Sequence, residues 1–317
     1  MKYAPIIIPT LNRYEHLYRC IESLRQNTGV RETSLIISVD YPPSDKYREG
    51  REKICQYLEL GISGFKDVTV LYQEKNLGSI GNGKYLEKYV SERYDTYIFS
   101  EDDNEFAPNF LEYINKGLEK YEKDDSIIAV CGSGIGAKPE GDSNNIFKTH
   151  IYGAYGVGFW VRKKKGIEEK VSWDYLKNIC KKSVGLYNLF QKDSSLIYAL
   201  QDALVKKRKI YFSEDGGLVL IDMTYKLYTY TENKYVICPY IPKVRNWGYD
   251  GSGSNCHDML NEHAQIGNLD TDLSFEYRQH NDLQVRDVEH YYKINDYIRF
   301  LCAYIKLKLF INIPERR

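Results

Sequence analysis

Five short runs in the first 135 residues are apolar without alternation: Ile6-Ile7-Ile8, Leu35-Ile36-Ile37-Ser38-Val39, Val68-Thr69-Val70-Leu71-Tyr72, Tyr97-Ile98-Phe99 and Ile127-Ile128-Ala129-Val130. A strand with one wet face alternates apolar and polar residues, whereas a strand buried on both faces does not. Between the runs lie amphipathic stretches, such as Leu17, Ile21 and Leu24, at helical spacing. Strands covered on both faces and separated by helices predict an α/β fold with a mostly parallel central sheet flanked by helices. Sheets of this kind bind ligands beyond the carboxyl ends of their strands. Polar groups stand at those ends: Thr10 to Arg13 after the first run, Asp40 after the second, and Glu101-Asp102-Asp103 after the fourth.

The acidic triplet is the sharpest chemical signal. Pro108 follows it and suits a first helical turn, and Phe110, Ile114, Leu118 and Tyr121 then recur at helical spacing toward a core. Carboxylates at the end of a buried strand are costly unless something positive meets them. A divalent cation on oxygen ligands, bound in turn to a substrate diphosphate, meets that need. An acidic helix N-terminus favoured by the helix dipole is the plainer reading, and the triplet alone leaves both open.

Composition narrows the partners. Lys+Arg and Asp+Glu both number 44, so the net charge is zero and gives no whole-chain pull toward a nucleic-acid polymer or an anionic membrane. The 30 tyrosines suit sugar binding, with a ring for C–H faces and a hydroxyl for hydrogen bonds. Seven scattered cysteines without a C-x-x-C pair argue against zinc or a disulfide framework and fit reduced thiols. Neither a signal-peptide pattern nor an apolar run of ~20 residues is visible. The expectation is a cytoplasmic protein. Its last 30 residues, from Tyr297 to Phe310 above all, read as an amphipathic helix that docks on the domain or lies peripherally at the inner face of a membrane. The glycine-aromatic segment Tyr152 to Trp160 reads either as close backbone approach to a sugar or as a glycine-rich strand. The basic runs Arg162 to Lys165 and Lys206 to Lys209 read as solvated faces.

The stretch Glu101-Asp102-Asp103-Asn104-Glu105-Phe106-Ala107-Pro108-Asn109-Phe110 resembles the acidic motif of GT-A-fold glycosyltransferases. It is most similar to the metal-dependent inverting N-acetylglucosaminyltransferases of N-glycan synthesis and to related bacterial family 2-like enzymes, across roughly residues 3 to 260. The resemblance implies a Rossmann-like GT-A domain over 1–257, with a nucleotide-sugar half (1–135) and an acceptor half (136–257), then a mainly helical extension over 258–317. It implies that Thr10 to Arg13 form a donor-binding turn in which Arg13 contacts the diphosphate, and that Asp40 meets a uracil, hence a UDP-sugar donor. Asp102 would lie near the ribose, Glu101 near the donor sugar, and Asp103 on Mn²⁺ or Mg²⁺, with His257 a further candidate ligand. Ile237 to Asn246 resembles a Pro-x-x-Ser-Arg-Thr-type segment from which Lys243 and Val244 depart. Trp247 to Ser254 resembles the loop that closes over the donor, which places Gly251 and Ser252 there. The catalytic base falls on Asp222, 17 residues before Pro239 and without the family's flanking Trp; Asp202 and Asp215 are its rivals. The implied reaction is inverting transfer to a hydroxyl of a carbohydrate or glycoconjugate acceptor, in glycan or surface-polysaccharide assembly. An inactive nucleotide-sugar-binding module is one alternative, since fold alone does not prove turnover. A sugar nucleotidyltransferase is the other, disfavoured because Pro9 to Arg13 holds no glycine.

Overall fold

The structure is a computed structural model and describes residues 3–134, 141–205, 221–253, 269–277, 283–287 and 290–312. Its strands are β1 (Ile6–Thr10), β2 (Ser34–Val39), β3 (Asp67–Tyr72), β4 (Thr96–Phe99), β5 (Asn104–Phe106), β6 (Ile127–Cys131), β7 (Ile146–Thr149), β8 (Val157–Trp160), β9 (Tyr235–Pro239) and β10 (Val244–Asn246). Its α-helices are α1 (Tyr14–Arg25), α2 (Arg48–Glu59), α3 (Gly78–Ser91), α4 (Phe110–Lys120), α5 (Val161–Lys170), α6 (Trp173–Lys181), α7 (Ser183–Lys192), α8 (Ser194–Leu204), α9 (Ile221–Glu232) and α10 (Ile294–Asn312). Eight strands form one sheet in the order β3-β2-β1-β4-β8-β6-β9-β7, and β10 pairs with β5 in a separate ribbon. β8 runs antiparallel to β4 and β6, and β7 antiparallel to β9; the other pairs are parallel. The chain therefore has the expected mixed α/β architecture with a mostly parallel sheet.

The uninterrupted apolar runs have the expected cause. Ile6 and Ile8 of β1, with Leu35 and Ile37 of β2, join a core with residues of α1, α2 and α4. Ile7 and Ile36, on the opposite face, join a second core that takes in α3 and the helices from α5 to α10. Successive strand side chains alternate faces, so a strand with a core on each side must be apolar throughout.

Of residues 152–160, only 157–160 form a strand, β8, at the heart of the sheet; 152–156 lead into it without regular structure. A Cβ on Gly158 would stand 2.5 Å from the Ile114 side chain, so this glycine lets α4 lie close on the sheet. In the run Arg162 to Lys165, Arg162 and Lys165 are exposed as a solvated face would have them, and Lys163 and Lys164 depart from it. Lys163 Nζ donates to the carbonyls of Tyr121, Asp124 and Ile127 at 2.9, 2.8 and 2.9 Å, pinning the turn between α4 and β6. Lys164 is buried and pairs with Glu87 and Glu168. Lys206 to Lys209 lies outside the described residues.

The C-terminal residues stitch into this body. Lys243 is fully buried, pairs with Asp270 and donates to the Ser143 carbonyl at 2.8 Å and its hydroxyl at 2.9 Å. Phe275 packs edge-on against Tyr113 at 4.9 Å. Val285 bridges to Lys148, and Asp287 accepts from His150 Nδ1 at 2.7 Å. The departure of Lys243 from the family-like segment thus has a local reason: its ammonium anchors residues 269–277. Among the described residues no helix is long and apolar enough to cross a membrane.

Candidate active site

Parallel β1 and β4 lie side by side, and their carboxyl ends deliver Arg13 and the acidic triplet to one crevice. Arg13 precedes α1 and forks across two carboxylates: Nη2 pairs with Asp102 Oδ1, and Nη1 with Asp103 Oδ2 at 2.8 Å. Thr10 Oγ1 donates to the other Asp102 oxygen at 2.7 Å. Both aspartates are buried, as is Thr10. Burial works against the Arg13 charge, but the two carboxylates outweigh it and hold the guanidinium protonated. Burial is also the main influence on Asp102, raising its carboxyl against the pull of Arg13. Thr10 therefore orients Asp102, the role its hydroxyl performs here.

Asp103 is held from a second direction. The β5–β10 ribbon brings Asn246 opposite Asn104, and Asn246 Nδ2 donates to Asp103 Oδ1 at 2.7 Å. The Trp247 backbone N–H donates to the Asp103 carbonyl at 2.8 Å. A Cβ on Gly248 would stand 2.3 Å from Asp103 Oδ2, so the glycine makes room for the carboxylate. Asn246 and Gly248 escaped the sequence reading, because nothing local marks a partner 143 residues away.

Glu101 is the exposed member of the triplet yet recessed in the protein. Desolvation first, then the charges of Asp103, Asp222 and Asp102, push its carboxyl up to about 8. Asp222, the second residue of α9, is exposed, and its carboxyl is raised by the surrounding protein against the opposing charge of Lys226. The structure thus brings Asp222 within electrostatic reach of the acidic triplet. Its rival Asp202 sits on α8, a helix packed on α7 and α10. Asp215 and His257 lie outside the described residues.

Asp40, at the end of β2, is buried and busy. Its Oδ1 accepts from the backbone N–H groups of Tyr41 and Leu77 at 2.8 and 2.9 Å, and Oδ2 accepts from Asn76 at 3.3 Å. Its first task is to fasten the Asn76–Leu77 turn before α3. The loop after β10 folds over Arg13 and is latched at several points. Trp247 Nε1 donates to Glu105 at 2.7 Å, and Arg19 lies over its ring at 4.5 Å. The Tyr249 and Tyr155 hydroxyls meet at 2.7 Å. Asp250 pairs with His16 Nε2 at 2.9 Å, and Ser252 Oγ lies 3.3 Å from the same nitrogen. Gly251 turns the loop at φ +81°, a conformation glycine reaches without steric cost. His16, one turn beyond Arg13, also escaped the sequence reading.

Asp102 and Asp103 share one guanidinium, and Glu101 beside them is pushed toward its protonated form. Among the described residues no three His, Cys, Asp or Glu side chains form a complete metal cage. A hard cation that keeps one or two carboxylates and takes its remaining ligands from substrate phosphates needs no such cage. The buried Asp103, an oxygen donor next to the Asp102 carboxylate, is chemically suited to that kind of ion.

Residues 6–180 match the family described as "Glycosyl transferase family 2". No curated protein matches the chain. Among solved structures it is similar to S. aureus TarS, at 15% identity and TM-score 0.33, over 55% of this chain and 32% of that one. TarS 1-349 in complex with UDP-GlcNAc aligns at 14% identity and TM-score 0.37, over 52% and 48% of the two chains. The mannosyltransferase PcManGT from Pyrobaculum calidifontis, in complex with GDP-Man and Mn²⁺, aligns at 12% identity and TM-score 0.35, over 53% and 46%. The chain thus matches half or less of the length of each of these proteins.

Proposed function

The chain belongs to glycosyl transferase family 2, and from that premise we propose that it moves a sugar from a UDP-sugar to a hydroxyl acceptor with inversion at the anomeric carbon. The acceptor is a carbohydrate or glycoconjugate of a surface glycan. The carrying observation is the meeting of Arg13 and the acidic triplet at one crevice, with the charge of Asp222 felt at Glu101.

Arg13 is already aligned by Asp102 and Asp103, and its planar fork suits the oxygens of a diphosphate. Asp103 would hold Mn²⁺ or Mg²⁺, which when bound supplies positive charge to the departing diphosphate. Asp40 has one weakly used oxygen, Oδ2, with which to accept from a uracil N–H. Glu101 is the carboxyl placed toward the donor sugar. Asp222 is the base: the acceptor oxygen bonds to the anomeric carbon, its proton passes to the Asp222 carboxylate, and the bond from that carbon to the diphosphate breaks to release UDP. A carboxyl raised by its surroundings is a better base than an ordinary one. The latched loop, with Gly251 and Ser252, covers the donor and keeps water out.

The test is product analysis with UDP-, GDP-, CMP- and dTDP-sugars, with Mn²⁺ and with EDTA. Metal-dependent hydrolysis or transfer from one UDP-sugar is the expected result. Turnover from another nucleotide class would remove the uracil role of Asp40. Metal-dependent binding without turnover would favour the inactive binding module.

A further inference from the structure

We propose that α10 docks the protein on an anionic lipid surface, its outward face lying in the membrane interface. The helix is apolar on two opposite sides. Ala303 and Leu307 are buried in the core beneath α10, with Phe300, Tyr304, Phe310 and Ile311 packed against that core. Ile294, Ile298, Leu301, Ile305 and Leu309 point the other way and are 79, 55, 54, 48 and 63% exposed. At successive spacings of four, three, four and four residues they form one stripe, about 22 Å long at ~1.5 Å per residue. A single exposed leucine is ordinary, but a continuous apolar stripe marks an interaction surface. α6 and the start of α7 lie alongside: Lys308 Nζ donates to the Lys181 carbonyl at 2.6 Å and Tyr304 Oη to Ser183 Oγ at 2.8 Å. α7 adds exposed Val184 and Tyr187.

Charge selects the occupant. Arg299, Lys306 and Lys308 flank the stripe on α10, where Asp296 is the only acidic residue, and Lys293 stands just before it. Exposed Lys181 and Lys182 continue the basic rim at the junction of α6 and α7. Apolar side chains can enter the acyl boundary while lysine stems lift their ammonium groups to the head groups. A second copy of the chain would instead meet the stripe with the same positive rim. The zero net charge of the whole chain does not oppose this, because the attraction acts over about a Debye length, ~8–10 Å, and each nearby Lys or Arg strengthens it severalfold.

The test is flotation of the full chain with vesicles of phosphatidylcholine alone and of phosphatidylcholine with phosphatidylglycerol. The chain is expected to float with the anionic vesicles and to be released by salt. Ile298→Gln/Ile305→Gln, and separately Lys293→Gln/Lys306→Gln, are expected to lower the bound fraction about tenfold or more, with unchanged circular dichroism and nucleotide binding. Flotation with neither vesicle, or equal binding to both that ignores the lysine pair, would overturn the proposal. A dimer in light scattering that Ile298→Gln/Ile305→Gln dissolves, without flotation, would assign the stripe to a second copy instead.

Discussion

Among single residues, Asp103 is held from two sides. Both of its oxygens have protein partners, Arg13 and Asn246, and Gly248 leaves the space for one of them. Gly248→Ala should therefore displace the carboxylate while leaving the fold intact. A fall of about tenfold or more in nucleotide affinity, at a stability cost of about 1–3 kcal/mol, is the expected pair of readings from calorimetry and urea unfolding. Asp222 makes a different prediction. Asp222→Asn keeps the shape but removes the proton acceptor, so kcat should fall about 10²–10⁴-fold while UDP binding stays unchanged. Full activity in that variant would transfer the role to another carboxylate. Arg13 and the triplet were legible because each ends an apolar run, where a charged residue needs a reason to be. Asn246 and His16 were not legible: an amide and a lone histidine carry no local pattern, and their partners are set by distant chain.

At the scale of elements, the sheet was readable and the short ribbon was not. β1, β2, β4 and β6 have cores on both faces, so their sequences are apolar without the alternation of a half-wet strand, Ser34 and Ser38 being the buried polar exceptions in β2. β5 and β10 are three residues each, too short for any period to declare itself, yet they carry Asn246 to the acidic triplet. Charge runs mislead in the opposite direction, since Lys163 and Lys164 look solvated and are instead committed to carbonyls and carboxylates. The same lesson applies to Lys243. Burial raises the Asp270 carboxyl, but Lys243 and Ser143 outweigh it and hold it below its ordinary value. A carboxyl lowered on folding contributes stability that is present above its unfolded value, near ~3.9, and is lost as pH falls through the native value. Urea midpoints measured from neutral pH down should thus drop below pH ~4, and Asp270→Asn should flatten that drop. Lys243→Met, which leaves Asp270 buried without its partner, should cost about 3–5 kcal/mol at neutral pH.

At the scale of the whole molecule, the sheet supplies a rigid floor, and segments from far along the chain close over it. Residues 244–253 cross the crevice from β10, and residues 269–277 and 283–287 tie the C-terminal part to Lys243, Lys148 and His150. Sequence patterning identifies the floor because it is built from local periodicity. It cannot identify the closure, which depends on pairings made only after the chain has folded back. The central claim is that Asp103 and Arg13 together form a metal-assisted diphosphate site. The most direct test is calorimetric titration of UDP into the wild type and Asp103→Asn, each with Mn²⁺ and with EDTA. Tight binding is expected only for the wild type with Mn²⁺, and the same weak binding for the variant whether or not the metal is present. Equal UDP affinity with Mn²⁺ and with EDTA in the wild type would contradict a metal-assisted site.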